Sequence, residues 1–168
     1  PETGAIYTPQ QIHANVVETD LHSPGTGLVV VENTHNARGG VAVAPDAVDA
    51  VADAAHEHDV PVHVDGARLF NASVALDVSP ERLVENADSV MFCLSKGLGA
   101  PIGSIVAGPE GFVDEARRVR KLLGGGMRQV GIVAAPGLLA LENVERLTED
   151  HDNAEPLAHG LDSIPGLS

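Results

Sequence analysis

Three short apolar runs separated by stretches of helical periodicity restrict this chain more than any other feature. Leu28-Val29-Val30-Val31 is continuous and β-branched, and reads as a central strand of a parallel sheet. Val60-Pro61-Val62-His63-Val64 is the second strand, with Pro61 at its start, where a missing amide does least harm. Ser89-Val90-Met91-Phe92-Cys93-Leu94 is the third. Between the first two, Pro45-Asp46 opens a helix on which Val48, Val51, Ala52 and Ala55 recur at helical spacing, ending near His58-Asp59. Residues 80–86 are helix-like and lead into the third strand. Strand, helix, strand, helix, strand predicts an α/β fold, a mostly parallel sheet with flanking helices and right-handed crossovers. Beyond it the pattern predicts a strand over 103–108, a helix over about 109–123, a triple glycine, and a long apolar helix over about 127–147 kinked at Pro136. The chain turns polar at Thr148-Glu149-Asp150, so residues 1–149 read as a large domain and 150–168 as the start of a second, smaller one.

Composition narrows the class of partner. The 168 residues carry 24 acids against 10 bases, a formal charge of −14, and only two of the bases, Lys96 and Lys121, are lysines. Such a balance argues against nucleic acid or an anionic membrane as partner and fits a chain from an acidic proteome adapted to concentrated salt, where self-repulsion is screened. No apolar run approaches the ~20 residues that span a bilayer, and residues 1–4 do not resemble a signal peptide, so the expectation is a soluble, cytoplasmic protein. Cys93 lies alone within an apolar run, which predicts a buried structural thiol.

Polar residues gather at the C-terminal ends of the three strands, where open α/β sheets place ligands: Glu32-Asn33-Thr34-His35-Asn36, then Asp65 with Arg68, then Lys96. These groups match what pyridoxal 5'-phosphate requires, namely an amine to hold it, a carboxylate to keep its ring nitrogen protonated, and a donor near its phenolate oxygen. Lys96, Asp65 and Arg68 would take those parts, with Arg68 also able to grip a substrate carboxylate. Other roles compete. Glu32 and Asn33 could equally serve only backbone groups at the strand end, Asp65 could be a cap or turn former, and Gly124-Gly125-Gly126 could cradle a phosphate or simply connect helices. His56, His58 and His63 read as a solvated helix end rather than a metal site, and no metal is expected.

The segments Glu32-Asn33-Thr34-His35-Asn36, His63-Val64-Asp65-Gly66-Ala67-Arg68-Leu69-Phe70-Asn71, Leu94-Ser95-Lys96-Gly97-Leu98-Gly99-Ala100-Pro101-Ile102-Gly103-Ser104 and Gly124-Gly125-Gly126-Met127-Arg128-Gln129 together resemble the low-specificity L-threonine aldolases in order and spacing. The resemblance implies a partial large domain of pyridoxal-phosphate fold type I. It also implies a homodimer or homotetramer with shared active sites, and cleavage of L-threonine, L-allo-threonine and related β-hydroxy-α-amino acids to glycine and an aldehyde. Residue by residue, it makes Lys96 the cofactor-holding lysine, Asp65 the partner of the ring nitrogen, and Arg68 the arginine near the phenolate oxygen and substrate carboxylate. His22, in Asp20-Leu21-His22-Ser23-Pro24, matches a histidine close to the substrate hydroxyl, and Lys121 matches a lysine brought toward the neighbouring subunit's site. In the family, residues before the Pro1 region supply the phosphate cup and a further domain supplies a carboxylate-binding arginine. The 168 residues alone are therefore expected to hold the cofactor weakly and turn over little. Another fold type I enzyme, a β-eliminating lyase or an aminotransferase, would use the same Asp65 and Lys96, and a fragment without catalysis is the remaining alternative. A dinucleotide-binding domain is disfavoured, since no Gly-x-Gly-x-x-Gly follows the first strand.

Overall fold

A computed structural model describes residues 4–167. Four strands, β1 (Val29–Glu32), β2 (Val62–Asp65), β3 (Ser89–Cys93) and β4 (Ser104–Ala107), form one sheet in the order β1-β2-β3-β4. The first three are parallel, with Glu32 opposite Asp65 and Asp65 opposite Met91, and β4 runs antiparallel to β3. The helices are α1 (Pro9–Asn15), α2 (Pro45–His56), α3 (Leu69–Leu76), α4 (Glu110–Leu122), α5 (Gly131–Ala140) and α6 (Leu147–Asp162). This is the mostly parallel α/β architecture that the apolar runs predict.

Alternation along the strands decides what they bury. Val29 and Val31 of β1 and Val62 and Val64 of β2 face inward and pack with Val48, Val51, Ala52 and Ala55 of α2 and Ile12 of α1. Val30 points the other way and is 45% exposed, since little packs on that face of β1, the outermost strand among the described residues. A short apolar run does not by itself report whether both of its faces are covered.

Several local elements differ from the sequence pattern. Helix α1 is fixed by a capping box: the Gln11 amide donates to Thr8 Oγ1 while the Thr8 amide donates to Gln11 Oε1, with Pro9 in the first turn. Helix α3 follows the Asp65 turn directly. Residues 80–86 make only a 3-10 turn, Arg82–Val84. The apolar stretch expected as one kinked helix is divided into α5, which contains Pro136, and a 3-10 segment, Leu141–Arg146, before α6. Helix α5 runs on through Pro136 to Ala140, so the break falls in the 3-10 segment and not at the proline. Helix α6 continues across position 150 without a break. Cys93 is half-buried at the end of β3 rather than fully enclosed.

The start of β2 is pinned by Asp88, whose Oδ2 accepts the Val62 amide at 2.7 Å and lies 2.9 Å from His56 Nε2. The Asp88 amide in turn donates to the Val62 carbonyl at 2.9 Å. The Val62 amide, and after it His56, hold the Asp88 carboxyl below its ordinary pKa. A carboxylate depressed on folding stabilises the native state above its unfolded pKa, and that contribution disappears as pH falls through the lower folded value. Asp88→Asn should therefore flatten the loss of melting temperature between about pH 5 and pH 2. A variant whose acid limb superimposes on that of the parent would contradict this assignment.

Candidate cofactor site

The site is assembled at the C-terminal edge of the parallel strands. Asn33 follows β1, is fully buried, and is occupied by the backbone: its Nδ2 donates to the Val43 carbonyl and its Oδ1 accepts the Val43 amide, both at 3.0 Å. Glu32 Oε1 accepts the Asn36 amide at 3.1 Å. Of the two roles open to Glu32 and Asn33, the structure shows the backbone one. The turn they hold has a further use, because Asn36 Oδ1 accepts from Arg68 Nη1 at 3.2 Å and so orients that guanidinium.

Asp65 ends β2 beside Glu32. Its Oδ1 accepts the Ala67 amide at 3.2 Å, a tight turn onto its own chain that leaves Oδ2 without a protein donor among the described residues. The next residue must be glycine for a packing reason. A Cβ on Gly66 would lie 2.8 Å from the Met91 carbonyl oxygen, the same atom that accepts the Gly66 amide at 2.9 Å. The turn carrying Asp65 and Arg68 is thus drawn against β3, the strand that leads to Lys96. His63, two residues earlier on the same face of β2, has its Nδ1 2.8 Å from Ser89 Oγ. Burial lowers its pKa below that of an ordinary imidazole, and the nearby Asp65 charge opposes the shift. His63 therefore belongs to the sheet and not to the solvated end of α2, where the sequence groups it with His56 and His58.

Lys96 lies in the loop after β3, exposed and in no ion pair among the described residues. A cleft of about 620 Å³ opens over the ends of β1 and β2, lined in part by Glu32, His35, Arg38, Asp65 and Tyr7. Arg68 and Lys96 are not among its lining residues. His22 is exposed in a loop closed by the Val17–Thr26 backbone pairing, its own amide held by Asp20 Oδ1 at 2.6 Å. Lys121 is exposed near the end of α4, folded back over Gly126. No hydrogen bond joins His22 or Lys121 to Asp65, Arg68 or Lys96 among the described residues.

A carboxylate with a free oxygen, a guanidinium held by one bond, and an uncommitted amine, on neighbouring strand ends, form the donor set that pyridoxal phosphate uses, so the residues present fit that group. The mostly parallel sheet with its flanking helices is the architecture of pyridoxal-phosphate fold type I. The Beta-eliminating lyase model matches residues 1–168, and the chain belongs to that family. It is 50% identical over 145 residues to low-specificity L-threonine aldolase 1 of Arabidopsis thaliana, covering 86% of this chain and 40% of that protein. It is 45% identical over 143 residues to the low specificity L-threonine aldolase of Escherichia coli K12, covering 84% and 42%. Among solved structures, a Listeria monocytogenes protein proposed to be an L-allo-threonine aldolase superimposes with a TM-score of 0.81 at 25% identity, covering 96% of this chain and 43% of that one. The chain thus spans about two fifths of the length of the curated relatives it matches.

His63 and Asn71 stand in one segment whose spacing does not announce their partners, and the contacts of Asn71 and Asn143 join distant parts of the chain. Gly66→Ala should cost about 1–3 kcal/mol, because a backbone carbonyl cannot retreat from the new methyl group. Chemical denaturation measures it, and a variant as stable as the parent would show that β2 and β3 are not in contact at this point.

Proposed function

We propose that this chain is the pyridoxal-phosphate-binding part of a carbon–carbon lyase that cleaves L-threonine, L-allo-threonine and related β-hydroxy-α-amino acids to glycine and an aldehyde. The observation that carries the reading is the placement of Asp65 and Lys96 at the ends of adjacent parallel strands, within segments shared with relatives named threonine aldolases. Lys96 Nζ would hold the cofactor, Asp65 Oδ2 would keep the proton on its ring nitrogen, and Arg68 would donate to its phenolate oxygen or to the substrate carboxylate. When bound, the cofactor supplies an electron sink for the pair released as Cα–Cβ breaks. His22, or a water it orients, takes the proton from the substrate β-hydroxyl. Lys121 serves the site of a neighbouring copy in a homodimer or homotetramer, and residues 150–168 begin a smaller domain. The setting is the cytoplasm.

Product analysis separates this reading from its rival. β-Elimination is favoured by the name of the family itself, and it would yield ammonia and a keto acid. Retro-aldol cleavage yields glycine and aldehyde in equal amounts, so ammonia in place of glycine would refute the aldolase assignment. Within that reaction, Asp65→Asn keeps the shape of the side chain but not the charge that holds a ring proton. Turnover should fall on the order of 100-fold while covalent capture of the cofactor persists. Unchanged kcat in Asp65→Asn would remove Asp65 from this role.

A further inference from the structure

Lys96 makes no ion pair or side-chain hydrogen bond of its own among the described residues, so the direction of its amine depends on the backbone that carries it. Among the described residues the loop's own backbone bonds are local: the Gly99 amide donates to the Lys96 carbonyl at 2.9 Å, the Ala100 amide to the Leu94 carbonyl at 3.0 Å, and the Leu94 amide to the Gly103 carbonyl at 2.9 Å. These bonds close the base of the loop between β3 and β4 but leave its crown, Gly97 and Leu98, without a local anchor.

The crown is held from the C-terminal segment. Asn143 Nδ2 donates to the Leu98 carbonyl at 2.9 Å. Leu147, 1% exposed, lies over the residue after the lysine: a Cβ on Gly97 would meet Leu147 Cδ2 at 2.6 Å. Around them Leu94, Leu98, Ala100, Ala140 and Leu147 form a separate buried cluster. His151, one turn beyond Leu147 on α6, has its Nε2 3.1 Å from Asn71 Nδ2, and the Asn71 amide flanks Gly97 from the α3 side. Leu147 and His151 are one α-helical turn apart on α6, and Asn143 precedes them in the 3-10 segment, so this part of the chain meets both the loop and α3. Because Asn71 sits on α3, immediately after the Asp65–Arg68 turn, the His151 contact also joins the two strand ends.

We propose that Asn143 is a positioning residue for Lys96, the principal polar contact of a clamp completed by Leu147 and by the Asn71 to His151 hydrogen bond. The inference rests on the reading of Lys96 given above. Asn143→Asp is nearly isosteric, but an ionised carboxylate cannot donate and repels the Leu98 carbonyl, whereas Asn143→Gln retains a donor.

Two measurements test the clamp. In the first, the chain is treated with pyridoxal phosphate and borohydride, and label on Lys96 is compared with label on Lys121 as internal reference. The parent should favour Lys96, Asn143→Asp should lower the ratio ~10-fold, and Asn143→Gln should recover most of it. Val51→Ala, which opens a cavity in the distant α2 core, should leave the ratio within about twofold at a comparable loss of melting temperature. In the second, hydrogen exchange of the Gly99 and Ala100 amides is followed without cofactor and should accelerate ~10-fold in Asn143→Asp. An unchanged ratio and unchanged exchange in Asn143→Asp, or an equal fall in Val51→Ala, would overturn the clamp. A parent without preference for Lys96, combined with faster exchange in Asn143→Asp, would support the clamp and instead remove the cofactor role of Lys96.

Discussion

The arrangement depends on the register of the parallel ladder and on two hydrogen bonds that carry it past the strands into the loops. The Asn33 amide donates to the Asp65 carbonyl and the Gly66 amide to the Met91 carbonyl, each at 2.9 Å. They keep Glu32, Asp65 and the turn to Arg68 level with one another at one edge of the sheet. A slip of one residue would turn Asp65 to the opposite face, because side chains alternate along a strand. The apolar pattern prevents such a slip. Val62 and Val64 are fully buried against α2, and exchanging them for His63 and Asp65 would place an imidazole and a carboxylate in an apolar core.

Much of this was legible in the sequence for that reason. Strands β1, β2 and β3 and helix α2 follow from apolar spacing, and the polar residues after each strand mark the ligand edge of an open α/β sheet. What escaped were features decided by contacts between distant residues. The run at Val29–Glu32 has the composition of a buried strand, yet nothing local to it shows that the face carrying Val30 is left open. Helix α3 has no side-chain cap and little polar periodicity to announce it. The hydrogen bond from Asn143 to Leu98 spans 45 residues, and nothing local to either residue points to the other. Helix α1 is different in kind: its capping box, Thr8 and Gln11 flanking Pro9, was present in the sequence as a local signal.

Charge and exposure complete the picture. In a chain with only two lysines, Lys96 stands at the ligand edge of the sheet and Lys121 near the end of an exposed helix. The parallel sheet holds the main apolar core, while α4 buries no residue and Ile132, Leu138 and Leu139 of α5 remain more than 60% exposed. The C-terminal segment therefore contributes less through bulk burial than through a few directed contacts, those of Asn143, Leu147 and His151 with the lysine loop and α3.

If Lys96 is the group on this sheet that holds pyridoxal phosphate, the two lysine knockouts must differ. Lys96→Ala and Lys121→Ala are each incubated with pyridoxal phosphate, reduced with borohydride and digested for peptide mass mapping. Lys96→Ala should lose the specific reduction-stable label with its circular dichroism unchanged, and Lys121→Ala should retain it on Lys96. Persistent specific labelling of Lys96→Ala at Lys121, or equal loss in both variants, would contradict it.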